Sequence, residues 1–348
     1  MRRTLLAAAF ATIALLRSFS ISMAADPVTF YRTVTVADVK VFYREAGDRK
    51  KPALLLLHGF PTSSHMFRNL IPLLADRYHV IAPDYPGFGF SDAPDRAQFK
   101  YTFEHLAEVM DGFTQTLGLN RYAMYIFDYG APMGLRLALA HPERVTAIIS
   151  QNGNAYEEGL SAGFAGRLKA SREPTEQARM AWRAALTPDA GQRRYLAGVS
   201  EAHRVLVAPE AYALDSALLA RPGNDEIQLD LLMDYGSNVA LYPKIQEYLR
   251  TAKPPVLAVW GRNDQTFIPA GAEAFRRDVP SAEVHLYDTG HFALETHLHE
   301  IAGTIRDFLR RKVDRLPPTT GGISHPAGTQ SFARSQAHSA PATDATSR

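Results

Sequence analysis

At 348 residues the chain is long enough for one large or two ordinary domains, and its 46% apolar and 21% charged content is that of a soluble globular protein. Miniprotein, collagen-like and wholly disordered classes are excluded. A formal charge of +2, from 38 basic and 36 acidic residues without any basic stripe, excludes polyanion binding and favours small-molecule chemistry; zero Cys removes disulfide frameworks, thiolate metal sites and cysteine nucleophiles.

In chain order, Arg2-Arg3 precede an apolar run of 13 residues from Thr4 to Leu16, then a polar stretch with the small pair Ser22 and Ala24. This pattern predicts a cleavable signal peptide over 1–25, general secretion, and a periplasmic or secreted protein without stable membrane insertion. Loss of Arg2, Arg3 and Arg17 would turn the formal charge from +2 to −1, so the basic balance belongs to the leader.

Val28–Val36 and Val39–Glu45 read as a β-hairpin around Ala37-Asp38, and Ala53–Leu57 as a short buried strand ending at His58-Gly59. Strands then alternate with helices: His79–Ala82 is a strand, Phe103–Leu117 a helix, Tyr122–Phe127 a strand, Ala131–Ala140 a helix and Val145–Gln151 a strand. Two further strands, Pro255–Trp260 and Glu283–Asp288, come late, with helices at Ala270–Arg277 and Leu298–Val313. The order predicts an α/β fold with an eight-stranded, mostly parallel sheet and helices on both faces. Residues 155–250 are helical in pattern without strands, an inserted helical cap between core segments 26–154 and 251–315. Residues 316–348, rich in Pro, Thr, Gly, Ser, Ala and Gln, read as a disordered tail.

Ligands of such sheets bind outside the carboxyl ends of the strands. The residues there are His58–Pro61, Asp84–Asp92, Asp128–Ala131, Gln151–Asn154, Gly261–Asp264 and Thr289–Phe292. Asp128, Asp264 and His291 follow in the chain order of a nucleophile, acid and base. A literal G-x-S-x-G string exists at Gly159–Gly163, but Ser161 follows the polar stretch Asn152–Glu158 rather than a strand. Asp128 follows an apolar strand directly, and Gly130 and Ala131 open a helix after it; its bland alternative is a helix cap.

On the His58-Gly59-Phe60-Pro61 loop, the Asp84–Asp92 turn, the Phe127–Ala131 elbow, the Gly261–Asp264 turn and Gly290-His291-Phe292, residues 30–312 resemble the epoxide hydrolase and haloalkane dehalogenase branch of the α/β hydrolases. A carboxylate nucleophile suits that chemistry. Its attack on an sp3 carbon gives an alkyl ester that water can hydrolyse, whereas attack on a carboxylic ester would form an anhydride. His291 would activate the water, Asp264 would hold the imidazole, and the backbone N–H groups of Phe60 and Tyr129 would form the oxyanion hole. His58 is expected to brace its loop. His297 and His299, two apart, make a poor metal pair, and neither cofactor nor metal is expected.

The resemblance further implies two cap tyrosines as proton donors to an epoxide oxygen. Tyr235 resembles the second by position and neighbours; for the first, Tyr156 and Tyr195 are nearest and neither matches well, and Tyr212 is a further cap candidate for substrate contact. The dehalogenase branch commonly has a tryptophan after the nucleophile, where this chain has Tyr129; Trp182 in the cap is an alternative indole donor. The expectation is a cofactor-independent hydrolase that opens epoxides to vicinal diols through a covalent alkyl-enzyme ester, acting on a small apolar substrate with water. The alternatives are haloalkane dehalogenation, carboxylic ester hydrolysis, and non-catalytic ligand binding on the same fold.

Overall fold

The computed structural model describes residues 27–314, apart from Pro174 and Pro188. The signal-peptide expectation for 1–25 and the tail expectation for 316–348 lie outside the described residues.

Eight strands form one sheet: β1 (Thr29–Val36), β2 (Val39–Ala46), β3 (Ala53–Leu57), β4 (His79–Pro83), β5 (Tyr122–Phe127), β6 (Val145–Gln151), β7 (Val256–Gly261) and β8 (Glu283–Tyr287). Their spatial order is β1-β2-β4-β3-β5-β6-β7-β8. β1 and β2 pair antiparallel, as do β2 and β4; all later pairs are parallel. The hairpin turns at Ala37 and Asp38, both at positive φ, the twist that closes a two-residue hairpin.

The strand side chains alternate between two cores, which is the period-2 pleat at work. Leu55, Leu57, Met124, Ile126, Ile148 and Trp260 pack on one face with α2 (Phe103–Thr116) and α3 (Gly130–Ala140). Leu54, Leu56, Tyr125, Phe127, Ile149 and Val259 pack on the other with α1 (Leu70–Leu74) and the carboxyl-terminal helix. With both faces covered, β5 is buried at every position, so its sequence is a continuous apolar run rather than an alternating one.

Between β6 and β7 the described residues form six helices: α4 (Ala162–Ala170), α5 (Glu176–Arg183), α6 (Ala190–Leu196), α7 (Pro209–Leu219), α8 (Asn224–Asp234) and α9 (Gly236–Ala252). After β7 come α10 (Ala270–Asp278), α11 (Ala293–Thr296) and α12 (Leu298–Lys312). The inserted helices cover the carboxyl ends of the strands. Arg221 donates to the carbonyl of Gly89 at 3.0 Å, Asn263 donates to the carbonyl of Gly198 at 2.9 Å, and the α4 residue Phe164 packs on Phe267 at 5.5 Å between ring centroids. Among the described residues no helix is long and apolar enough to cross a membrane.

Candidate active site

β5 runs straight into Asp128, which sits at φ +49°. A non-glycine residue in this left-handed region is strained by about 1–3 kcal/mol and persists where its surroundings hold it there. Two glycines make the turn possible. A Cβ at Gly59 would come within 2.3 Å of the Asp128 Cβ, and one at Gly130 within 2.1 Å of the Leu57 carbonyl oxygen. The β3 loop therefore lies directly against the Asp128 side chain, and α3 begins directly behind it.

That approach brings two backbone donors onto one carboxylate oxygen. The N–H groups of Phe60 and Tyr129 each donate to Asp128 Oδ1 at 2.7 Å. The other oxygen, Oδ2, lies 3.5 Å from His291 Nε2. The opposite ring nitrogen, Nδ1, donates to Asp264 Oδ2 at 2.6 Å. Asp264 is fixed in turn: Oδ1 accepts from the Thr266 N–H at 2.7 Å, and Oδ2 accepts from Asn152 Nδ2 at 2.6 Å. Asn152, at the end of β6 with φ +47°, also accepts from the Gly261 N–H at 3.0 Å. Asn152 thus ties the end of β6 to the turn that carries Asp264.

The electrostatics follow from these contacts. Burial is the largest single influence on His291 and works to lower its pKa, but the charges and hydrogen bonds of Asp264 and Asp128 outweigh it and push the pKa up to about 9. The contacts of His291 with Asp264 and Asp128 thus favour its protonated form.

His58 is buried, with its pKa lowered to about 3 by that burial. Its Nε2 accepts from the Tyr85 N–H at 3.2 Å, leaving Nδ1–H to donate to the Gly59 carbonyl at 3.1 Å, and its ring stacks on Tyr85. It ties the β3 loop to the β4 loop as a neutral ring.

The cap supplies the rest of the site's walls. Tyr235, between α8 and α9, is buried with its ring against Tyr129, Phe103, Phe164 and Phe267. Burial first, then Tyr242 and the charge of Asp128, raise the Tyr235 pKa well above that of a free phenol, so it stays protonated. Tyr242 in turn accepts from Asn154 at 3.3 Å. The Tyr129 hydroxyl is buried without a hydrogen-bond partner among the described residues.

Five other positions singled out in the sequence are engaged away from Asp128. Trp182 donates its indole N–H to Ser171 at 2.6 Å and packs behind Phe164, which corrects the expectation of an indole free to hold a leaving group. Tyr212 is set edge-on to Tyr195, whose ring stacks on Phe292 at 3.8 Å, so Tyr212 lies two rings from Phe292, the neighbour of His291. Tyr195 donates to Asp215 at 2.7 Å, and Tyr156 packs against Phe275 on the far side of β7. Ser161 caps α4 by accepting from the Phe164 N–H at 3.3 Å, and occupies no strand-to-helix elbow.

Three participants have no motif in the sequence. Asn152 stood at a flagged strand end, but an amide there signals nothing by itself. Tyr242 is one of several cap tyrosines. Arg194 is a cap arginine on α6 whose guanidinium lies over the Phe60 ring, 4.6 Å from its centroid. Among the described residues no three His, Asp or Glu side chains gather as metal ligands.

Residues 52–298 match the family model described as alpha/beta hydrolase fold. The Saccharomyces cerevisiae protein named Uncharacterized hydrolase YNR064C is 50% identical over 281 residues, which cover 79% of this chain and 95% of that protein. Haloalkane dehalogenase 2 of Mycobacterium bovis is 31% identical over 221 residues, 63% of this chain and 73% of that protein. The solved structure of epoxide hydrolase CorEH superposes with a TM-score of 0.65 at 19% identity, over 82% of this chain and 99% of that chain, a likeness of fold.

Proposed function

Since the chain belongs to the α/β-hydrolase family, in the branch of the haloalkane dehalogenases and epoxide hydrolases, we propose that it hydrolyses epoxides to vicinal diols through an ester on Asp128. One observation carries this reading: the oxyanion pocket is filled by the carboxylate's own Oδ1, held by the Phe60 and Tyr129 N–H groups. A serine esterase keeps such a pocket open for the substrate's carbonyl. Here the tetrahedral intermediate would form at the enzyme's Asp128 carbon, which is what hydrolysis of an alkyl-enzyme requires.

The steps follow from the geometry. Asp128 Oδ2 attacks an epoxide carbon from behind, the C–O bond of the ring breaks, and Tyr235 donates a hydrogen bond and then a proton to the departing oxygen. The new ester keeps Oδ1 as its carbonyl oxygen, already seated on both donors. His291, relieved of the Asp128 charge, gives up its proton, which restores the Tyr235 phenol, and as a neutral ring then takes a proton from the water that adds to this carbonyl; Asp264 stabilises the imidazolium. As the intermediate collapses, His291 returns its proton to the departing diol oxygen, and the proton on the re-formed Asp128 carboxyl passes back to His291, which regenerates the resting site.

Haloalkane dehalogenation is the second reading, favoured by the unpartnered Tyr129 hydroxyl, which has a donor to offer a departing halide, and by the relative of that name. Against it, the Phe60 side chain has no donor and the indole of Trp182 is bonded to Ser171. The leader pattern at 1–25 supports export to the periplasm or medium, for which amino-terminal sequencing of the secreted protein is the check.

Intact-mass analysis of His291→Gln tests the reading. Without its base the enzyme should stall as the ester. A styrene oxide adduct mapped to the Asp128 peptide is expected; a butyl adduct from 1-bromobutane alone would favour the dehalogenase, and a serine-borne adduct would overturn both.

A further inference from the structure

Arg194, a half-buried cation on α6 seated over the Phe60 ring, has no carboxylate within ion-pair distance among the described residues. The two arginines whose charges act on it are otherwise engaged or exposed: Arg193 bonds Asp189, and Arg167 is exposed with its guanidinium over the Trp182 ring. Arg194 makes one hydrogen bond among the described residues, to the Ala185 carbonyl at 3.3 Å, although a guanidinium carries five N–H donors. Burial is the leading influence on it and lowers its pKa, with the charge of Asp128 next and opposing; Arg167 and Arg193 add further repulsion. Taking a cation out of water without a matched anion is unfavourable, and the ring of Phe60 beneath it offsets only part of that.

Phe60 carries the meaning of the placement. Its N–H holds Asp128 Oδ1, while its ring carries the Arg194 guanidinium on the other side. Phe60 thus touches both the carboxylate, through its N–H, and the guanidinium, through its ring, and the charge of Asp128 reaches Arg194. The planar fork of a guanidinium fits a carboxylate by two parallel hydrogen bonds. We infer that Arg194 is a substrate-binding residue that selects a carboxylate-bearing substrate, holding the acid group while the adjacent carbon faces Asp128 Oδ2. This rests on the reading of Asp128 as nucleophile, and it narrows the substrate from a neutral apolar epoxide to an anionic one. The cation also offsets the repulsion that Asp128 would otherwise exert on such a substrate.

The test compares an acid with its amide in the full chain. For 3-phenylglycidate against 3-phenylglycidamide, the wild type is expected to favour the acid in kcat/KM by about 10- to 100-fold, the range for a charge-assisted hydrogen bond pair. Arg194→Gln should bring that ratio close to one, with the change mostly in KM, and Arg194→Lys should retain part of it. If both substrates lose equally in Arg194→Gln, so that the ratio holds, Arg194 only braces the cap and the inference is overturned. Equilibrium binding of the unreactive 3-phenylpropionate and 3-phenylpropionamide separates the two layers of argument. Preferential acid binding that disappears in Arg194→Gln supports the Arg194 assignment even if neither epoxide forms an adduct on Asp128, an outcome that would defeat the nucleophile alone. Equal binding of acid and amide by the wild type would overturn the Arg194 assignment, whatever the result at Asp128.

Discussion

The carboxylates and imidazoles at the strand ends are more completely bonded than the arginine on the cap helix above them. Around the strand ends, Asp128 Oδ1, both oxygens of Asp264, both ring nitrogens of His58 and Nδ1 of His291 have close partners, several of them backbone groups. In the cap, Arg194 has one weak bond for five donors. Loops whose backbone is fixed by β3, β5, β7 and β8 can hold reacting atoms in one geometry, whereas cap side chains with unfilled valences can answer to a ligand. In the proposed reading the loops would carry the reaction and Arg194 on the cap would select what undergoes it.

The largest effect should come from removing the fully bonded carboxylate. Asp128→Asn is expected to lower turnover by about 10,000-fold or more, because no other group in the site can form the ester. Activity within tenfold of wild type would break the contrast at once, since the nucleophile would then lie elsewhere. A smaller loss, about 100- to 10,000-fold, is expected for Tyr235→Phe with an epoxide. With 1-bromobutane, whose leaving group needs no proton, the same variant should change little; equal losses on both would make Tyr235 a packing residue.

Two buried groups sharpen the comparison through pH. His291, with a folded pKa of about 9 against 6.5 when free, stabilises the fold fully below about pH 6.5 and loses that contribution as pH rises through 9. Asp215 in the cap is raised by burial to about 7 from 3.8, with Tyr195 partly offsetting it. Its stabilising share, full below about pH 4, is lost as pH rises through 7. Melting temperature between pH 4 and 10 should therefore fall in two windows. Asp264→Asn should flatten the upper one by lowering the His291 pKa, and Asp215→Asn the lower one, with the smaller effect. A single variant that flattened both would show that core and cap titrate as one unit.

The same division governs what the sequence discloses. The eight strands lie within a residue or two of their apolar runs, because β3 and β5 are covered on both faces and any other placement would bury polar groups. Asp128, Asp264 and His291 are legible because each ends such a run. Asn152 is not, because its role depends on the positive φ that turns its amide toward Asp264. In the cap the helical pattern is visible but the facing is not. Trp182 and Tyr195 are both buried aromatics by pattern, and only tertiary contacts show that Ser171 takes the indole N–H and Asp215 the phenol. Arg194 is indistinguishable in sequence from its neighbour Arg193, which pairs one turn away with Asp189.

A single turnover in oxygen-18 water tests the central claim most directly. Enzyme in excess over epoxide, digested afterward, should carry the label on the peptide holding Asp128, because water adds to the ester carbonyl and the diol receives an enzyme oxygen. Label found in the diol alone, with the Asp128 peptide unlabelled, would mean that water attacks the substrate directly and that Asp128 forms no covalent bond.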